Sequence, residues 1–116
     1  MSAKEENMVE INLEEGMPIV TEAMDNLKIA LKRAKESKTR VVVFIHGYGS
    51  SGKGGAICKN ARQWLKAQAR NGAVKSVVEG ENFDMFNADA RNIKTKDAET
   101  GKYYERGNNG ITLVEI

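Results

Sequence analysis

A continuous apolar run that leads into a glycine-rich loop constrains the fold of this chain most strongly. Residues 41–45 read Val-Val-Val-Phe-Ile, a composition typical of a strand buried on both faces in an α/β sheet. The loop from His46 to Gly55 holds five glycines, and an amphipathic helix is predicted over about residues 55–71. Such a strand–loop–helix unit presents free backbone N–H groups at a helix N-terminus. It therefore predicts an anion or phosphate site at this end of the sheet.

Further elements alternate along the chain. The apolar spacing predicts a strand near Met8–Leu13 and a helix over about 18–37, and short apolar runs predict strands at 74–78 and 111–116. This order predicts an α/β fold: a two-layer sandwich of a mixed four-stranded sheet with two main helices on one face. Residues 1–7 are predicted to be a disordered tail and 8–116 a single domain. Residues 79–110 are predicted to be a long surface loop, with Phe83, Met85 and Phe86 tucking one end onto the core.

Length and composition exclude several kinds of site. A chain of 116 residues suits one domain. Cys58 and His46 are the only cysteine and histidine, which excludes an internal disulfide and zinc sites of the four-cysteine or Cys₂His₂ type. No apolar run is long enough to span a bilayer, and the polar start is unlike a secretory signal. We therefore expect a cytoplasmic protein with no membrane partner.

The small net charge of +2 hides a basic middle third. Residues 41–78 carry six bases and no acid, whereas the segments on either side carry more acids than bases. On the second helix Lys59, Arg62, Lys66 and Arg70 recur every three or four residues and form a predicted basic ridge. Such a ridge could follow a nucleic-acid backbone, or it could be an ordinary solvated helix face.

The loop is also close to the phosphate-binding pattern G-x-x-x-x-G-K-[ST]. Gly47, Gly52 and Lys53 fit, but Gly54 stands where the pattern needs a hydroxyl for Mg²⁺. This mismatch favours phosphate binding without nucleotide hydrolysis. His46 could act as a general acid or base or could cap the strand through backbone hydrogen bonds, and Tyr48 could stack on a base or pack on the loop.

These motifs together resemble the Smr (small MutS-related) domain family. The resemblance lies in His46-Gly47-Tyr48-Gly49, in Gln63-Trp64-Leu65 and in the stretch from Gly107 to Val114. It implies a two-layer α/β fold similar to the C-terminal domain of translation initiation factor 3. It also implies nucleic-acid binding and endonuclease activity on DNA or RNA, including ribosome-linked RNA cleavage.

The resemblance carries His46, Gly47 and Gly49 over as the HGxG elements, but the family's Leu-Asp-x-His-Gly cleavage motif is degenerate here. Asn12 stands in place of the acid and Glu14 in place of the histidine. The candidate catalytic residues are His46 and Glu14, with Mg²⁺ or Mn²⁺ as the cofactor if the chain cleaves. The expected partners are DNA or RNA and a ribosome; the alternative is a protein-interaction module that uses the 79–110 segment. The candidate nucleic-acid-binding residues are Gly47, Tyr48, Gly49, Lys53, Lys59, Arg62 and Lys66.

Overall fold

The computed structural model describes residues 7–47, 53–104 and 108–116, with the side chains of α2 described from Gly55 onward. The predicted strands and the two main helices are all present, with ends that differ from the predicted ones by one or two residues. The strands are β1 (Met8–Asn12), β2 (Val41–Ile45), β3 (Ser76–Glu79) and β4 (Ile111–Glu115). The helices are α1 (Val20–Glu36), α2 (Lys53–Arg70) and a shorter α3 (Ala88–Lys96).

The four strands form one mixed sheet in the order β1-β2-β4-β3. β1 and β2 are parallel, whereas β4 is antiparallel to both β2 and β3. The apolar run of β2 is buried because it occupies an interior position with packed layers on both faces. The mixed four-stranded α/β sheet predicted from the sequence is confirmed.

The two main helices cover one face of the sheet. The apolar stripe of α1, which includes Leu27 and Leu31, packs with Ile57 and Leu65 of α2 against Phe44. Because successive strand residues point to opposite faces, Val42 lies on this side while Val41 and Val43 lie on the other.

The second face is covered by the segment predicted to be a long loop. Residues 79–110 contain a 3₁₀ turn at Gly80–Asn82, the helix α3 and a second 3₁₀ segment at Ala98–Tyr103. Ile93 of α3 and Phe83 pack on Val43 and its neighbours in a second apolar cluster. The prediction of a long surface loop is therefore wrong for this segment, which adds a short helix on the second face. Its short apolar stripe is too sparse to show a helical period in the sequence.

The prediction that Phe83, Met85 and Phe86 pack together on the core is correct only for Phe83. Phe83 is 1% exposed, whereas Met85 is 49% and Phe86 86% exposed. The predicted tail, 1–7, lies almost entirely outside the described residues. Among the helices of the described residues, none is long and apolar enough to cross a membrane.

Candidate nucleic-acid interface

His46 follows β2 directly and lies inside the protein, with no exposed surface. Its Nδ1 is 2.6 Å from the carbonyl oxygen of Gly47, and its Nε2 is 2.7 Å from Oγ1 of Thr112 on β4. The backbone N–H groups of His46 and Gly47 both donate to the carbonyl oxygen of Gly110. The turn after β2 is thus tied to the start of β4 by main-chain and side-chain bonds.

The partners of His46 suit a neutral imidazole. A carbonyl oxygen can only accept, so Nδ1 carries the proton, and in the neutral ring the Thr112 hydroxyl donates to Nε2. Burial lowers the pKa of His46, the hydrogen bond to Gly47 opposes this shift, and the charge of Arg62 lowers the pKa further. A neutral, enclosed imidazole with both nitrogens bonded to protein atoms is a structural arrangement. It matches the strand-capping alternative rather than a general acid or base facing solvent.

Arg62 of α2 is joined to the same network. Its Nε donates to Oγ1 of Thr112 at 2.9 Å, which leaves that hydroxyl free to donate to His46. Its two terminal nitrogens donate to both carboxylate oxygens of Glu81 at 2.9 and 2.8 Å, and one of them also reaches the carbonyl oxygen of Ile111. With its side chain only 12% exposed, Arg62 binds protein groups and is not free for phosphate.

Two glutamates at the end of β3 neutralise part of the predicted basic ridge. The Nζ of Lys66 is 2.6 Å from Glu79 Oε2, and Arg62 lies 3.9 Å from the same oxygen. Although burial acts to raise the pKa of Glu81, the hydrogen bonds from Arg62 lower it below its ordinary value. Glu81 is therefore held as an anion beside α2.

A glycine missed by the sequence analysis makes this arrangement possible. Gly80 separates Glu79 from Glu81, and a Cβ added there would lie 1.9 Å from the carbonyl oxygen of Asn108. A side chain at this position would push the two segments apart. A glycine next to a strand is the signal that could have shown it, since glycine there often marks a close approach of another backbone.

The outer side of α2 remains open. Lys59 and Arg70 form no ion pair with any part of the chain that the structure describes, and both are exposed. Together with Arg62, Lys66, Cys58 and Glu79 they line a cleft of about 580 Å³. Since α2 carries five bases and no acid over 18 residues, the cleft faces solvent with a positive edge. Burial raises the pKa of the Cys58 thiol, which therefore stays protonated at neutral pH.

Glu14 reaches the histidine turn from β1. Parallel pairing brings the carboxyl ends of β1 and β2 to one edge, and the Glu14 carboxylate lies against Gly47. A Cβ at Gly47 would be 2.6 Å from Glu14 Oε2, and the φ of Gly47 is +70°, so both space and backbone favour glycine. The structure thus brings Glu14 and Gly47 together, next to a buried His46.

Several predicted site residues lie outside the described residues. These are Tyr48 and Gly49, together with the side chain of Lys53. Within 7–47, 53–104 and 108–116, no group of three or more His, Cys, Asp or Glu side chains is placed to hold a metal ion. Lys28, which the sequence analysis did not use, lies 5.6 Å from the Trp64 ring and adds a base beside α2.

The sheet order and the tied turn after β2 define an α/β domain with a basic cleft along α2. The family model of the Smr domain matches residues 16–83, more than half of the chain, which therefore belongs to the Smr domain family. This family is generally associated with nucleic-acid binding and nuclease activity.

The fold is also similar to a solved structure, the Smr domain of Thermus thermophilus MutS2. The two share 20% sequence identity with a TM-score of 0.53, over 94% of this chain and 95% of that one. At this identity the likeness shows the fold alone. No curated protein matches the chain significantly.

Proposed function

We propose that this chain binds the phosphate backbone of DNA or RNA through the outer side of α2. The observation that carries the proposal is that Lys59 and Arg70, on a helix that contains no acid, form no ion pair with residues 7–47, 53–104 or 108–116. Phosphate contacts of this kind give affinity without reading the base sequence. Membership of the Smr domain family supports the same function.

In this proposal Arg62 and His46 position the interface and do not contact the ligand. Arg62 holds Glu81 and Thr112, and Thr112 in turn fixes the imidazole of His46. The network connects the turn after β2 to the middle of α2. If the chain cleaves nucleic acid, Mg²⁺ or Mn²⁺ is the expected cofactor, and the buried imidazole would first have to leave its two partners.

Binding can be measured by fluorescence anisotropy with short labelled oligonucleotides: single- and double-stranded, RNA and DNA. Lys59→Ala and Arg70→Ala should each lower the slope of log affinity against log salt by about 1, as expected for one lost phosphate contact. Lys94→Ala, a lysine on the opposite face of the sheet, is the matched control and should change nothing. Absence of binding to all four nucleic acids at low salt would overturn the proposal.

The ion pair between Lys66 and Glu79 allows a gain-of-binding test. Glu79→Gln removes the carboxylate that occupies Lys66 and should raise the affinity by about threefold, the size of one exposed ion pair. The same assay run with Mg²⁺ or Mn²⁺ and analysed for strand breaks separates a binding module from a nuclease. Unchanged affinity in Glu79→Gln would show that Lys66 does not reach the phosphates.

A protein-interaction module is the second candidate, and the exposed pair Met85 and Phe86 favours it. The backbone there is held firmly, since Phe86 N–H donates to Asp84 Oδ1 at 2.9 Å and Arg91 donates to the Met85 carbonyl oxygen at 2.8 Å. An exposed aromatic side chain on a backbone held in this way suits a protein partner. Phe86→Ser should abolish capture of such a partner while leaving the affinity for nucleic acid unchanged, and a ribosome can be tested first by co-sedimentation.

A further inference from the structure

The edge of the sheet formed by β1 has hydrogen-bonding groups that face outward. Leu13 N–H donates to the Ile45 carbonyl oxygen, and the Asn7 carbonyl oxygen accepts from Val41 N–H. Backbone groups alternate in direction along a strand, so residues 7, 9, 11 and 13 point toward β2. The N–H and C=O groups of Met8 and Glu10 therefore point away from the sheet, on a side where the described residues place no strand.

An apolar groove runs between this edge and α1. It encloses about 360 Å³, and its apolar lining comes mainly from Val9, Ile11, Ile29 and Ala30. Ile29 is 50% exposed, which is high for a large aliphatic side chain beside a groove. Alternate side chains of a strand placed next to β1 would point into this groove.

Arg33 gives the groove its charge. It lines the groove, is exposed, and forms no ion pair with the residues that the structure describes. The groove lining contains no carboxylate, so the complementary group is an acidic side chain.

From these features we infer that the β1 edge binds, as a fifth strand of the sheet, an extended peptide that carries a carboxylate. The outward backbone groups of Met8 and Glu10 require both donors and acceptors, which a peptide supplies and a phosphate backbone does not. The peptide carries apolar residues at alternate positions for the groove and a carboxylate for Arg33. The inference is independent of the proposed nucleic-acid binding, because α2 lies on the far side of α1 from this groove.

The probe is a nine-residue peptide that alternates valine with threonine and has one glutamate at a valine position, titrated into the ¹⁵N-labelled full chain. We expect the amide signals of Met8 and Glu10 to shift and to become protected from exchange. Met8→Pro removes one outward N–H at the first residue of an edge strand, where proline is tolerated, and should abolish the protection of the Glu10 amide. Its thermal unfolding, compared with that of the unchanged chain, shows whether it folds.

A charge exchange tests the role of Arg33 without touching the core. Arg33→Glu should weaken the glutamate peptide by about fivefold and strengthen the same peptide with lysine in place of glutamate. The control is Lys32→Glu, one turn from Lys28 on the side of α1 that faces α2, and it should leave both affinities unchanged. Three results would overturn the inference. The first is the absence of any shift in the amide signals of β1, and the second is equal affinity of Arg33→Glu for the glutamate and lysine peptides. The third is a concentration-dependent dimer that forms through this edge.

Discussion

On the side of α2 that faces β3 and β4, Arg62 is 12% exposed and bonded to Glu81, Thr112 and the main chain. On the outer side, Lys59 and Arg70 are exposed and form no ion pair with the described residues. All three are bases at helical spacing on one helix. Their roles differ because, among the residues that the structure describes, the carboxylates of Glu79 and Glu81 lie against only one side of α2.

The comparison shows that a basic ridge in a sequence cannot be counted as free charge. Lys66 is intermediate, since it is 49% exposed yet forms an ion pair with Glu79. The acids that neutralise the inner side of α2, the side that faces β3 and β4, lie far from their partners in the sequence. Glu79 follows Lys66 by 13 residues, and Glu81 follows Arg62 by 19. Only the folded sheet brings them to α2.

The largest expected effect comes from Gly80, because the inner side depends on its close contact. Gly80→Ala places a Cβ against the Asn108 carbonyl oxygen and should lower the free energy of unfolding by about 3 kcal/mol or more. Denaturant unfolding measures this value. Gly72→Ala is the matched control: its φ is +83° with open space around it, so it should cost only about 1 kcal/mol of backbone strain. Equal losses in the two variants would show that the contact at Gly80 is not tight.

The next effect separates the two sides of α2 directly. Arg62→Ala leaves Glu81 without its bidentate partner and should destabilise the protein by about 2–3 kcal/mol. Lys59→Ala should change stability by less than about 0.5 kcal/mol, as is usual for an exposed side chain. Thermal unfolding of both variants, read alongside their nucleic-acid affinities, should show opposite rankings. If Arg62→Ala does not change stability, Arg62 is not held by Glu81 and belongs with the exposed bases Lys59 and Arg70.

The parts of the fold that follow from local pattern could be predicted, and those that depend on long-range pairing could not. We could predict β2 from the apolar run between Val41 and Ile45, and α1 from the spacing of Leu27 and Leu31. Burial imposes the apolar pattern of each element. Ile93 alone gave too weak a pattern to show α3.

The site followed the same division. His46 was correctly placed at the end of β2, but its Nε2 bonds to Thr112, which lies 66 residues further along the chain. The sequence therefore left its catalytic and capping roles equally open. Arg62 was assigned to the exposed ridge because nothing near it in the sequence shows Glu81 or the carbonyl groups it binds.

The smallest expected effect is the pH dependence of stability that arises from His46. Burial lowers its pKa in the folded protein below the ordinary value of 6.5, so the unfolded chain binds the proton more readily. Stability should therefore fall as the pH drops below about 6.5, by at most about 1.4 kcal/mol per pH unit for one proton. Unfolding free energies should be measured from neutral pH down to a pH that is still above the range in which carboxylates titrate. This interval isolates His46, because the lowered pKa values of Glu10 and Glu81 affect stability only in more acidic solution. His46→Gln cannot take up the proton and should show a flat profile over the same interval. If the slope of stability against pH persists in His46→Gln, the titration belongs to another group. The neutral imidazole is then not linked to the side of α2 that faces β3 and β4.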